Sequence, residues 1–392
     1  GSNNVNGIDN PLFCNISSSN YTLAANSPCS GSGQNGENIG AFDIGCGNVF
    51  KNYYVSIDSD QDGNGSQEFP FHTIQSGINA LSNNDTLRIN SGTYIENIDF
   101  NGKKIVLIGQ NKETTVIDGS EGGTVVAVSG NNSEESSILK NFTIINGSGS
   151  EFEGLGGNVA GGIYVTQPNT ILDNLIIRNN NSGAIGGGIF ISTDGVVLRN
   201  SIISDNSTDG DGGGLALLNC NNISIYNNVF NHNTASEGGG LSVQGSNLTD
   251  MNFCTIYGNS SFGLFIGFNS QMNISNSIIW DNDYHQIYYR QNNGTANLSV
   301  QYSNIKDGQD EIFINGYGTL DWGDGNINSN PLFLDHFDHN FMLSDFSPSL
   351  GAGSLTTSIS NDINGILRPN PAGTNPDMGA YESVLSQTES VI

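Results

Sequence analysis

The sequence predicts an all-β chain wound as a parallel β-helix, a solenoid of roughly nine or more rungs. Three observations lead there. Gly-Gly followed by an apolar residue recurs at Gly161-Gly162-Ile163, Gly187-Gly188-Ile189, Gly213-Gly214-Leu215 and Gly239-Gly240-Leu241, 26 residues apart each time, with a shorter echo at Gly263-Leu264. A second column reads two apolar or β-branched residues and then Asn: Ile176-Ile177 to Asn180, Ile202-Ile203 to Asn206, Val229-Phe230 to Asn233, Thr255-Ile256 to Asn259 and Ile278-Ile279 to Asn282. The runs between them are short, β-branched and punctuated by Gly, Asn, Asp and Ser, which reads as strands rather than helices. A unit this small cannot bury an apolar face alone, whereas copies stacked about 4.8 Å apart share one continuous core.

Residues 1–47 hold Cys14, Cys29 and Cys46 in a Gly/Asn/Ser-rich stretch that gains from a disulfide. Cys29 with Cys46 is one pairing, and Cys14 with either of them the other. Cys220 and Cys254 read as buried thiols, and the odd count leaves a cysteine unpaired. Gly1-Ser2 reads as a cloning remnant, with any leader removed. Residues 48–86 carry an acidic loop and then Ile74, Ile78 and Leu81 at helical spacing, a short helix suited to capping the first rung. Residues 87–310 supply the rungs, a rod some 40 Å long. Identical positions recur on successive rungs, so Asn180, Asn206, Asn233, Asn259 and Asn282 should form a hydrogen-bonded ladder, with Ile177, Ile203, Phe230, Ile256 and Ile279 as an interior column. Residues 311–383 read as a C-terminal cap and 384–392 as a tail.

The charge limits the partners. With 38 acidic against 11 basic residues the net charge is -27, which excludes a nucleic-acid binder and disfavours anionic membrane surfaces. No apolar run approaches the ~20 residues a spanning helix needs.

Tyr54-Val55-Ser56, Pro70-Phe71-His72-Thr73-Ile74-Gln75, Asp85-Thr86-Leu87, Gly92-Thr93-Tyr94 and Glu96-Asn97-Ile98 resemble the opening of a pectate-lyase-like right-handed parallel β-helix. The Gly-Gly-Ile rungs resemble repeats of polymorphic outer-membrane proteins. Asn330-Pro331-Leu332-Phe333, Ser347-Pro348 and Met378-Gly379-Ala380-Tyr381 resemble the end of secreted β-helix proteins that carry a choice-of-anchor surface signal. The resemblance implies right-handedness and an extracellular, secreted or bacterial cell-surface location, and it leaves activity open. That terminal series has an earlier copy in Asn10-Pro11-Leu12-Phe13, Tyr21-Thr22-Leu23, Ser27-Pro28 and Ile39-Gly40-Ala41-Phe42. The chain therefore begins with what resembles the end of a preceding unit, either a neighbour in a tandem array or an extra cap.

Asp58, Asp60 and Asp62 alternate before Gly63, with Asn64 offering its carbonyl and Glu68 the next carboxylate, a loop suited to calcium. A lyase would need a rung-borne base beside a cation. Lys140, Arg178 and Arg199 are the candidates; Lys140, Asp173 and Arg199 share a column, and simple charge compensation between rungs is the alternative. A glycosidase pair would come from Asp173, Asp205, Asp209 or Asp211. Tyr284, His285, Tyr288, Tyr289 and Arg290 concentrate aromatic surface on a late rung and form a candidate sugar contact. Asp335-His336-Phe337-Asp338-His339 offers metal-ligating types, but it falls in a loop between two strands of the terminal cap and reads as a surface turn. The function predicted is a secreted or surface β-helix module for adhesion, carbohydrate binding or spacing, with an extracellular glycan or cell-surface partner. The competing reading is a polysaccharide lyase or, further off, a glycoside hydrolase.

Overall fold

The computed structural model describes residues 11–27, 29–32, 36–47, 49–59, 63–130, 136–291, 297–316 and 318–384. Three parallel sheets of 9, 11 and 9 strands wrap one core. One rung runs through Ile163–Val165 in the first sheet, Ile171–Asp173 in the second and Ile176–Arg178 in the third. The next rung repeats the path at Ile189–Ile191, Val197–Arg199 and Ile202–Ser204, each paired in register with the strand before it. Stacking begins earlier than residue 87, because Asn52–Val55 pairs with Thr86–Ile89, and extends to Thr319–Trp322, giving about eleven turns.

The predicted interior column forms. Ile177, Ile203, Phe230, Ile256 and Ile279 pair in succession and are fully buried. So does the amide ladder. The Nδ2 atoms of Asn180, Asn206, Asn233 and Asn259 each donate to the next Oδ1 at 3.0 Å, and Asn282 closes the row on Gln286 Oε1 at 2.9 Å. Each Nδ2 also reaches a carbonyl of the preceding rung, such as Asn233 to Ile203 at 2.9 Å. The Gly-Gly pairs are explained by close approach. A Cβ on Gly213 would stand 2.6 Å from the Gly239 carbonyl oxygen, so no side chain fits there.

Helix α1, Ile74–Ala80, places Ile74 and Ile78 fully buried in the main core beside Leu87. Thr73 caps its N-terminus by accepting from the Ser76 amide, and Glu96 accepts from the amides of Ile74 and Gln75.

The two terminal copies fold alike. Phe13–Asn15 pairs with Asn20–Ala24 around a 3-10 turn, as Phe333–Asp335 pairs with Asn340–Leu343. In both, a serine hydroxyl (Ser27 or Ser347) donates to a proline carbonyl (Pro11 or Pro331). Cys14 bonds Cys46, resolving the open pairing; Cys29 stays a buried thiol, as do Cys220 and Cys254.

The segment expected as a C-terminal cap divides in two. Ile312–Gly316 and Thr319–Trp322 complete the last rung. The remainder of the segment turns back along the outer face of the third sheet, where Phe341, Ile363 and Ala380 pack on Val229 and Tyr257. The backbone amides of Gly379 and Ala380 donate to the Asn276 carbonyl and to Thr255 Oγ1. Apolar side chains on the outside of the third sheet need cover, and this strap supplies it along the flank rather than over the end.

Candidate functional site: a polar groove on the second sheet

Outward positions of the second sheet form a continuous column, Lys140, Asp173, Arg199, Tyr226, Asn252, Ser275 and Gln301, by unbroken register. Beside it runs Ser224, Asp250, Asn273, Ser299 and Asp321. The returning strap lays Ser358 and Ile359 against these rows and walls a groove of about 550 Å³, lined by Ser224, Tyr226, Asp250, Asn252, Asn273 and Ser275 among others. A second hollow of about 320 Å³ continues past Tyr226 to Arg199, Asn200 and Asn227. From Arg199 to Gln301 the column crosses four rung spacings, about 20 Å.

Asp173 is almost fully buried at one end of the column, 3.0 Å from Lys140 Nζ and 3.2 Å from Arg199 Nη2. Burial alone would raise its carboxyl, but hydrogen bonds from Asn200, Lys140 and Arg199 outweigh it and hold the group below the usual carboxylate range. Arg199 donates its other terminal nitrogen to Tyr226 Oη at 2.9 Å. Both cations are thus matched to one carboxylate, and Arg199 fixes the phenol that projects into the groove. Arg178 is separated from them. It stands exposed on the third sheet, in register with Ile145 and Ser204.

The proposed carboxylate pair is not assembled. Asp173 lies in the second sheet, whereas Asp205 follows the third and lies beside His232 and His339. Asp211 accepts from Gln244 Nε2 at 2.6 Å and bridges to Glu237 on the next rung. Glu237 in turn meets Arg290 at 3.2 Å. Burial raises the Glu237 carboxyl, Arg290 opposes that, and Asp211 adds to it.

The late aromatic patch is mostly a ladder. Tyr288 stacks on Phe262, Phe265 and Phe313 with ring planes within 15° and centroids 4.5 to 5.8 Å apart. His285 stacks on Phe313 and meets Glu311. Rings stacked along the axis turn their faces to one another and their edges to solvent, so they offer little sugar-stacking surface. Tyr289 faces inward and is fully buried, which removes it as a contact residue. Arg290 lies over Phe265 at 5.0 Å, and Tyr284, 73% exposed, meets the edge of the stack at a tilt of 52° to Phe262.

Of the calcium loop, Asp58, Asn64 and Glu68 are exposed, and Asn64 Oδ1 accepts from the Ser66 amide. Asp60 and Asp62 lie outside the described residues.

Tyr226, Asn252, Ser275 and Gln301 escaped the sequence reading although their signal was present. Carrying the Lys140, Asp173, Arg199 column onward rung by rung reaches them. The Ser358 to Asn361 wall had no such signal, because the strap shares no period with the rungs.

Residues 187–332 match the family described as right handed beta helix region. Among solved structures, the pectate lyase Pel9A is 14% identical, covers 86% of this chain and 97% of its own, and superposes with a TM-score of 0.52. Pectin methylesterase PemA from Erwinia chrysanthemi is 15% identical over 69% of this chain and 81% of its own, with a TM-score of 0.34. No curated protein sequence matches the chain. At these identities the Pel9A likeness shows a shared fold and nothing about activity.

Proposed function

We propose that this right-handed parallel β-helix is a glycan-binding module of an extracellular or cell-surface protein, engaging a neutral carbohydrate chain along the second sheet. One observation carries the reading: the groove lined by rows of Ser, Asn, Asp and Gln with Tyr226 at its shoulder and the strap as its wall. Planar amides and hydroxyls in repeating register suit a repeating ligand with hydroxyls on both edges, and the half-buried Tyr226 supplies apolar contact for a sugar face. Asp173 engages both flanking cations and Asp250 adds a second carboxylate in the groove itself, so the groove has no surplus positive charge to draw an acidic polymer. Surface attachment through the C-terminal series, and calcium at the Asp58 loop, belong to the same proposal. The calcium part is checked by melting curves in calcium and in EDTA, which should differ.

The test is calorimetric titration with soluble xylan, mannan and β-glucan oligosaccharides. Binding to one of these should weaken about tenfold in Tyr226→Ala and in Asn252→Ala, the loss of roughly one good contact each. Tyr284→Ala, remote from the groove, should leave it unchanged. No binding to any of the three, or binding that only Tyr284→Ala removes, would sink the groove reading.

A further inference from the structure

The turns that leave the third sheet after Arg178, Ser204, Asn231, Tyr257 and Trp280 each pass at once through a left-handed residue. Asn179, Asp205, His232 and Asp281 take φ of 54°, 54°, 54° and 59° there, and Gly258 takes 61°. Asp205 and His232 thus occupy equivalent corners of adjacent rungs, about 4.8 Å apart along the axis. The strap brings a third residue to this corner. His339, at the left-handed end of the 3-10 turn His336–Asp338, stands edge-on to His232 with ring centroids 5.1 Å apart. One ligand atom from each of Asp205, His232 and His339 falls within 4.8 Å of the others.

A second observation points the same way. Asn231 is fully buried directly beneath the cluster. Its Nδ2 lies within 3.0 Å of Nδ1 of both histidines, while its Oδ1 is buried with no hydrogen-bond partner. Two imidazole lone pairs therefore converge on one amide. The nitrogen and oxygen of such an amide exchange places by a simple flip, and the flipped form puts the unpartnered oxygen at the point of convergence. His232 Nε2 lies on the far side, over the position of Gly258.

We infer that Asp205, His232 and His339, with Asn231 Oδ1, form a site for a divalent transition metal that clamps the strap to the rod. Two imidazoles with two oxygens suit zinc and its neighbours rather than calcium or magnesium, which prefer all-oxygen shells. Zinc–nitrogen bonds of about 2.0 Å require the ligand atoms to draw in by roughly an ångström, which exposed side chains on two separate segments do by small rotations. The corresponding position in the N-terminal hairpin is Ser19, with φ of 59° against 56° at His339, so the hairpin alone does not make the site. The inference is independent of the glycan reading, since the groove lies on a different sheet.

The test is titration of the full chain with ZnCl2 and with CoCl2, followed by calorimetry, melting and visible absorption. One ion per chain should bind, the melting temperature should rise by about 2 °C or more, and cobalt should give the visible absorption of nitrogen ligation. His232→Ala and His339→Ala should each cost about tenfold or more in affinity and remove the absorption. Asp58→Asn should change neither, which separates this site from the acidic loop. Both histidines are exposed, so the variants fold, and an unchanged metal-free melting curve checks that they do. Absence of a stoichiometric ion, or binding that persists in the double variant His232→Ala/His339→Ala, overturns the proposal.

Discussion

Asn233 shows how one side chain holds two rungs together. Its Nδ2 donates to the Ile203 carbonyl and to Asn259 Oδ1, and its Oδ1 accepts from both the amide and the Nδ2 of Asn206. All four bonds are buried, so removing the side chain strands several partners at once. Asn233→Ala should destabilise by roughly 3–5 kcal/mol, read from chemical denaturation. Asn180→Ala, at the head of the ladder, should cost a similar amount, because its side chain also makes four bonds, to Gly147, Ile144, Arg178 and Asn206. The neighbouring interior column is less forgiving still. Ile203→Asp would place a lone carboxylate among Ile177, Phe230 and the other core side chains, and no folded protein should be recovered. A soluble Ile203→Asp variant with the parent's circular dichroism and melting temperature would refute the stacked interior. Both columns were legible in the sequence because a rung spacing converts directly into contact between identical positions.

The strap is held by a buried charge cluster rather than by repetition. Arg368, with a fully buried side chain, donates to Glu382 at 2.9 Å and to the Asp377 and Gly379 carbonyls, and lies 4.1 Å over the Phe253 ring. Asp362, Asp377 and Glu382 are all buried around it. Three carboxylates share one guanidinium, so mutual repulsion adds to burial at Asp377 and Glu382. Burial, then Asp377, pushes Glu382 up to about 7 against the pull of Arg368, and burial pushes Asp377 up to about 6. Between the ordinary carboxylate range and these raised values the folded chain holds protons that the unfolded chain has released, so stability falls as pH rises through about 4.5 to 7. The melting temperature should be higher at pH 5 than at pH 7.5, and Glu382→Gln should flatten that slope. Arg368→Ala leaves the carboxylates without their cation and should cost about 3–5 kcal/mol, freeing the strap to proteolysis before the rungs. This cluster had no signature in the sequence. Arg368 meets Phe253 across more than a hundred positions of chain with no periodic relation between them, whereas α1 was legible from its own apolar spacing at Ile74, Ile78 and Leu81.

For the molecule as a whole, the register that built the core also decides what the surface can do. The Lys140, Asp173, Arg199 column was visible from rung spacing. Its chemical meaning was not, because only the structure shows one carboxylate holding both cations at 3.0 and 3.2 Å. A lyase acting on an acidic polysaccharide needs a base free to take a proton and a positive centre to neutralise the substrate carboxylate. Here the rung-borne cations are committed, Arg178 stands on another sheet, and a net charge of -27 repels polyanions as they approach. Pectate, alginate and glycosaminoglycans should therefore yield no new unsaturated ends, followed as ultraviolet absorbance over long incubation with and without calcium. Turnover of any of them that disappears in Lys140→Ala or Arg199→Ala would mean that the Asp173 cluster opens in the presence of substrate, and the lyase reading would replace the binding one. Turnover that survives both substitutions would move the search to Asp211 and Glu237, carboxylates on neighbouring rungs of which Glu237 pairs with Arg290.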